Sequence, residues 1–158
     1  MTDLKMLKPG EGDHYWLLGV LATIKVGGEA TDGAMTIAEF EAPPGWGVPP
    51  HRHIDQDELF YVLDGEVTFR CDDTEATYTR GGLAWLPRGR IHTFEISRAG
   101  PARLFNIHTG SLFENLVQDV GEIAPEARIP DSPDEAPDPR AIVEAFARYN
   151  IEIVGAPA

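Results

Sequence analysis

The chain has one cysteine in 158 residues, Cys71, so no disulfide can form within it. Cys71 stands beside Asp72, Asp73 and Glu75, and nearby negative charge raises a thiol pKa, which argues against a nucleophile there. Positive charge is scarce as well: 13 Lys and Arg face 26 Asp and Glu, for a formal net charge of −13. Such a surface repels phosphate backbones and anionic headgroups, so neither nucleic acid nor a membrane surface is an expected partner. No apolar stretch approaches the roughly 20 residues that span a bilayer as a helix. Residues 1–8 lack the apolar run and small-residue cleavage site of a signal peptide. A Ser/His/Asp set, a P-loop and a dinucleotide fingerprint are all missing. The expectation is a soluble, cytoplasmic protein with one domain over residues 1–158.

Short strands punctuated by turns fill most of the chain. Residues 15–26 are rich in aromatic and β-branched types and stop at Gly27-Gly28. Met35, Ile37 and Glu39 alternate with Thr36, Ala38 and Phe40 before Pro43-Pro44-Gly45. Residues 58–63 and 66–70 flank Asp64-Gly65, a hairpin signal. Further strands are expected at 76–79, 83–86, 92–96 and 103–109, separated by Gly81-Gly82, Pro87-Arg88-Gly89 and Gly100-Pro101. Many short strands with no helical period between them predict an all-β sandwich or barrel over about 15–109. Past Ser111 the pattern changes. Leu112, Phe113, Leu116, Val117 and Val120 predict an amphipathic helix, with Ser111 and Glu114 as a capping box. Residues 122–139 are too rich in Pro, Asp and Glu for regular structure. Asp138-Pro139 then predicts a second helix start, with Ile142, Phe146 and Tyr149 on one face and a short edge strand at 151–154.

The chemistry centres on His51-Arg52-His53. Residues two apart on a strand project to one face, so both imidazoles can address one point while Arg52 points away. Glu58 opens the next strand and can return a carboxylate to that point. Imidazole plus carboxylate suits Fe, Mn, Co, Ni, Cu or Zn without choosing among them. A lone HxH pair is more often a pair of surface histidines; the surrounding grammar changes that reading. Gly45 lies six residues before His51, Gly65 seven after Glu58, and a second block runs Gly81, Pro87, Gly89, His92. Its tight turn feeds His92 into a strand as a possible fourth ligand.

These blocks resemble the two motifs of the cupin superfamily. The first is Gly45-Trp46-Gly47-Val48-Pro49-Pro50-His51-Arg52-His53 continuing through Glu58 to Gly65, and the second runs from Gly81 through Leu86-Pro87-Arg88-Gly89 to His92. The family asparagine four residues after the last histidine is Ile96 here. The resemblance implies a double-stranded β-helix, or jelly-roll barrel, with the C-terminal helices packed on it. It implies one divalent transition metal ion held by His51, His53, Glu58 and His92. It also implies a homodimer. Tyr15-Trp16, the Pro49–His53 segment and the helical tail resemble small quercetin 2,3-dioxygenase-like cupins, which open a flavonol ring with O2 and release carbon monoxide.

The expected function is therefore a metal-dependent dioxygenase acting on an aromatic or enol small molecule, with Glu58 as both ligand and proton-accepting base. One alternative is a non-redox metal-dependent isomerase, cyclase, decarboxylase or lyase; another is a non-enzymatic binding module for a small ligand. Phe40, Phe60, Trp85, Phe94 and His108 are the candidates for a substrate pocket, although a barrel core needs such residues anyway. Phe94 leads by sharing parity with His92; His108 shares parity with Asn106 and also suits a structural role. His14 is expected in a solvated turn. Arg88 and Arg90 are expected to be surface charge, or else to meet an anionic substrate.

Overall fold

The alternation of small or apolar residues with polar ones becomes two antiparallel sheets in the computed structural model, which describes residues 2–133 and 135–155. The strands are β1 (Asp13–Leu17), β2 (Val20–Val26), β3 (Met35–Ala42), β4 (His51–His53), β5 (Glu58–Asp64), β6 (Val67–Cys71), β7 (Thr74–Tyr78), β8 (Leu83–Leu86), β9 (His92–Ile96) and β10 (Ala102–Thr109). The tail adds α1 (Leu112–Val120), β11 (Glu122–Ile123), α2 (Pro139–Ala147) and β12 (Ile151–Ile153). One sheet has the order β11-β1-β2-β3-β10-β5-β8 and the other β12-β4-β9-β6-β7. The fold is the expected jelly-roll barrel with C-terminal helices.

Inward side chains of both sheets join in one apolar cluster that includes Ala38, Phe40, Phe60, Val62, Val67, Phe69, Phe94, Ile96 and Leu104. The interior is polarised along the strands. β5 turns Glu58, Phe60 and Val62 inward, and β9 turns His92, Phe94 and Ile96 inward, all buried. β10 runs antiparallel to β5 and buries Leu104, Asn106 and His108 in the reverse order, with His108 opposite Glu58. One end of the barrel is thus packed with apolar groups and the other with imidazoles, an amide and a carboxylate.

Several local expectations change. Residues 15–26 are two strands, not one, joined at Leu18-Gly19, where both backbones have positive φ (49° and 93°), the pattern of a two-residue type I′ hairpin. Leucine is a poor turn residue. Here a tertiary contact holds the turn, because Trp46 Nε1–H donates to the Leu18 carbonyl at 2.8 Å. His14 lies within β1, not in a turn, and its Nδ1 is 2.9 Å from Thr23 Oγ1 on β2. The capping box does not form: Ser111 makes no side-chain cap bond, and the Glu114 carboxylate accepts instead from the Gly28 backbone N–H. The proline-rich connection, expected to be extended and without regular structure, instead forms β11 at its start, pairing with Tyr15 and Trp16, and bends at residues 125–128. Asp138 caps α2 by accepting from Arg140 N–H at 2.9 Å.

The helices cover the barrel through Phe113, Leu116 and Val117 of α1 and Ala145 of α2, all buried. The last strand has a more specific task. β12 pairs with β4 along its whole length, with Ile151 opposite His53, Glu152 opposite Arg52 and Ile153 opposite His51. Ile54 N–H donates to the Asn150 carbonyl and Val154 N–H to the Pro50 carbonyl, at 2.9 and 2.8 Å, extending this pairing at both ends. On its other side β4 meets β9 only at His51↔His92, with a Gly47↔Glu95 bridge just before it.

Candidate metal centre

β4 is too short to bury anything but its two outer residues, and these are the histidines: His51 and His53 point inward while Arg52 faces Glu152 outside, Nε to carboxylate at 2.7 Å. His92 enters from the turn Pro87–Arg90. Gly89 sits there at φ 79° and Arg90 N–H donates to the Pro87 carbonyl at 3.2 Å, a backbone shape that suits glycine at its third position. Gly89 N–H also donates to the His53 carbonyl at 2.7 Å, tying this turn to β4. Glu58 comes from the opposite sheet. β4 and β5 are consecutive in the chain yet not paired, so the carboxylate meets the histidines across the barrel interior, not along one sheet as neighbouring strands would suggest.

One donor atom each from His51, His53, Glu58 and His92 lies within 4.8 Å of every other, and all four residues are buried. Ligands about 2.0–2.2 Å from a common ion stand roughly 3–4 Å apart, so only small adjustments separate this arrangement from coordination. The tautomers suit the task. His51 Nδ1–H donates to the Pro49 carbonyl at 2.9 Å and His92 Nδ1–H to the Arg90 carbonyl at 3.1 Å, so that Nε2 is the nitrogen each ring can offer to an ion. Burial, and then the neighbouring His92, push the His51 pKa down to about 3, so that ring is neutral at physiological pH. Burial alone would raise the Glu58 carboxyl, but His108 and His53 beside it hold it well below the usual range. Burial would likewise lower His92, and its bond to Glu58 outweighs this and raises it. Three imidazoles and one ionised carboxylate, removed from water, fit a divalent transition metal.

Glu58 has further partners. Oε2 faces His92 Nε2 at 2.9 Å and His53 Nε2 at 3.3 Å. Oε1 accepts from Asn106 Nδ2 at 3.0 Å and lies 3.0 Å from His108 Nε2. The latter contact is close but out of line for a hydrogen bond, and neither ring nitrogen of His108 has a directed partner. His108 is fully buried and its ring stacks on Phe113 of α1, with centroids 4.0 Å apart and planes at 11°. Asn106 is the residue the motif reading passed over. The family asparagine position is Ile96, buried in apolar surroundings; the amide beside this site comes from another strand. The available signal was an asparagine, disfavoured in strands, at an inward position of β10.

The remaining candidates separate by face. Phe40, Phe60 and Phe94 are buried and packed ring to ring, with Phe60–Phe94 centroids at 4.8 Å and Phe40–Phe60 at 6.5 Å. Trp85 takes an outer position. It is 53 % exposed on edge strand β8, because Ala84 and Leu86 take the inward parity. Arg88 is engaged by Asp57, donating from Nε and Nη2 at 3.0 and 2.7 Å, which holds the Asp57 carboxyl down at about 2. Arg90 pairs with Asp72. Both arginines therefore brace the turn that delivers His92. The Cys71 thiol is raised by burial first and Asp72 second.

Comparison with known proteins agrees with this fold. Residues 38–108 match the cupin domain family; the chain carries a cupin domain. Over 117 residues it is 26 % identical to quercetin 2,3-dioxygenase of Bacillus subtilis, a match covering 74 % of this chain and 34 % of that protein, so the chain spans about a third of the length of this curated relative. Among solved structures, a predicted oxalate decarboxylase from Thermotoga maritima superposes with TM-score 0.58 at 19 % identity, covering 66 % of this chain and 99 % of that one. An RmlC-like cupin from Shewanella frigidimarina gives 0.57 at 15 %, covering 70 % and 96 %. These structural likenesses establish the fold alone. Among the described residues, no helix is long and apolar enough to cross a membrane.

Proposed function

We propose that this cupin is a metal-dependent dioxygenase that cleaves a flavonol or related enol or phenol with O2. The observation that carries the reading is the buried donor set, three imidazoles with one carboxylate, and the likeness to quercetin 2,3-dioxygenase points it toward oxygen chemistry. A divalent ion held by His51, His53, Glu58 and His92 would supply Lewis acidity toward the enol oxygen and, if redox-active, a path for electrons toward O2. The protein's own residues do the rest. Glu58 Oε2, on the histidine side, would accept the hydroxyl proton on releasing the ion, since a carboxylate oxygen bound to a cation is a weak base, while Oε1 stays with Asn106. The apolar half of the barrel, with Phe94 and Phe60 on the inward faces that follow His92 and Glu58, excludes water from that side of the site.

The test is O2 consumption and carbon monoxide release by metal-loaded protein over a panel of flavonols and simpler enols. Turnover that requires O2 supports the proposal. Equal turnover of the same substrate without O2 replaces it with a non-redox role for the ion as Lewis acid. Glu58→Gln keeps an oxygen ligand but loses the base, so turnover per bound metal should drop by about two to four powers of ten. A wild-type rate per metal would leave Glu58 as a ligand only.

A further inference from the structure

We propose that Asn106 and His108 are positioning residues that hold Glu58 Oε1 away from the ion, so that Glu58 contributes one oxygen, Oε2, to the metal. The inference rests on the metal-centre reading above and extends it beyond the four donors.

The two oxygens of Glu58 have separate surroundings. Oε2 faces His92 and His53, and Oε1 faces Asn106 Nδ2 and His108 Nε2, each of the latter at 3.0 Å. Asn106 is anchored in turn, since Nδ2 also lies 3.4 Å from the Leu59 carbonyl. His108 cannot turn toward water. It is fully buried, and Phe113 of α1, itself part of the apolar cluster, stacks on its ring. A buried imidazole with no directed partner at either nitrogen is costly. Among the described residues, the carboxylate oxygen beside its Nε2 is Glu58 Oε1. Both positioning residues stand on β10, whose register places His108 opposite Glu58. A carboxylate free to rotate would chelate through both oxygens and take an additional coordination position. Holding Oε1 keeps that position for substrate. The tail takes part, because Phe113 belongs to α1 and backs the ring of His108.

Substitutions at these two positions distinguish positioning from packing. His108→Phe keeps the stack on Phe113 and removes the nitrogens; His108→Gln gives up the stack and keeps an N–H donor. Asn106→Leu keeps the volume and removes the amide. The readouts are Co2+ affinity, by competition with a chromophoric chelator, and the visible absorption of the cobalt-loaded protein. His108→Phe and Asn106→Leu should each weaken Co2+ binding by about 10–100-fold, the usual effect of losing a partner of a metal ligand, and should change the cobalt spectrum. His108→Gln should stay within a few-fold of wild type, with a wild-type spectrum. The opposite order at position 108, with Phe retaining and Gln losing the site, would show a packing role and overturn the proposal. So would wild-type affinity and spectrum in both His108→Phe and Asn106→Leu. If His108→Phe fails to fold, wild-type affinity and spectrum in Asn106→Leu alone overturn the proposal. A wild-type protein that takes up no Co2+ would instead overturn the metal-centre reading, and this proposal with it.

Discussion

Replacing Ile151 by alanine should loosen the metal centre from outside the barrel. Ile151 is 1 % exposed and pairs with His53, at one end of the ladder that fixes β4. Two effects compete for importance along that ladder. The Arg52–Glu152 pair is 2.7 Å long, but its side chains are 39 % and 50 % exposed, and such pairs contribute at most about 1 kcal/mol. Truncating a fully buried isoleucine costs about 2–5 kcal/mol, lost burial and cavity together. Burial wins, so Ile151→Ala should be the damaging change and Arg52→Ala the mild one. Taking about 3 kcal/mol at about 2–4 °C per kcal/mol for a chain of this size, the melting temperature should fall by about 6–12 °C. Because β4 meets β9 at a single residue pair, the loss falls on the strand carrying His51 and His53. Metal loss to a chelator should therefore be faster in Ile151→Ala than in Arg52→Ala. The assays are thermal melting of both variants and the rate of metal transfer to excess chelator. An Ile151→Ala protein with wild-type melting temperature and wild-type metal loss would refute the reasoning, since β4 would then need no support from the tail.

Elemental analysis of protein made in metal-supplemented medium should find close to one transition-metal equivalent per chain, and His51→Ala or His92→Ala should lose most of it; full occupancy in both would defeat the donor assignment. Chelation should lower the melting temperature by linkage, which at a free-metal level about 100 times Kd amounts to about 2.7 kcal/mol, while the β-type far-UV circular dichroism persists, because the apolar cluster exists without the ion; complete unfolding on chelation would contradict this. Asp57, held at about 2 against an ordinary value of 3.8 by Arg88, has a lowered folded-state pKa. Its contribution is present above pH ~4 and lost as pH falls toward 2. In chelated protein, the melting-temperature gap between wild type and Asp57→Asn should therefore close over that range, and a gap that stays constant would show that the pair does not couple to stability.

The barrel was legible in the chain because its information is local. Alternation in Met35–Ala42, the Asp64-Gly65 turn and the Pro87–Gly89 turn each act over a few residues, and so does the HxH parity that turns His51 and His53 to one side. The same locality explains the errors. Leu18-Gly19 is a hairpin only because Trp46 reaches back to hold it. Glu114 left its expected cap because Gly28, 86 residues earlier, offers an N–H. Trp85 faces outward because parity on β8 is decided by which neighbours pack inside, a choice that the four residues Leu83-Ala84-Trp85-Leu86 leave open. The four metal donors could be named from spacing and resemblance alone. The meeting of His92 with Glu58 across two sheets, the division of Glu58's oxygens by Asn106 and His108, and the clasp of β12 on β4 all join residues 34 to 100 positions apart. Contacts over such separations depend on strand order and register, and these are set by the whole barrel closing at once.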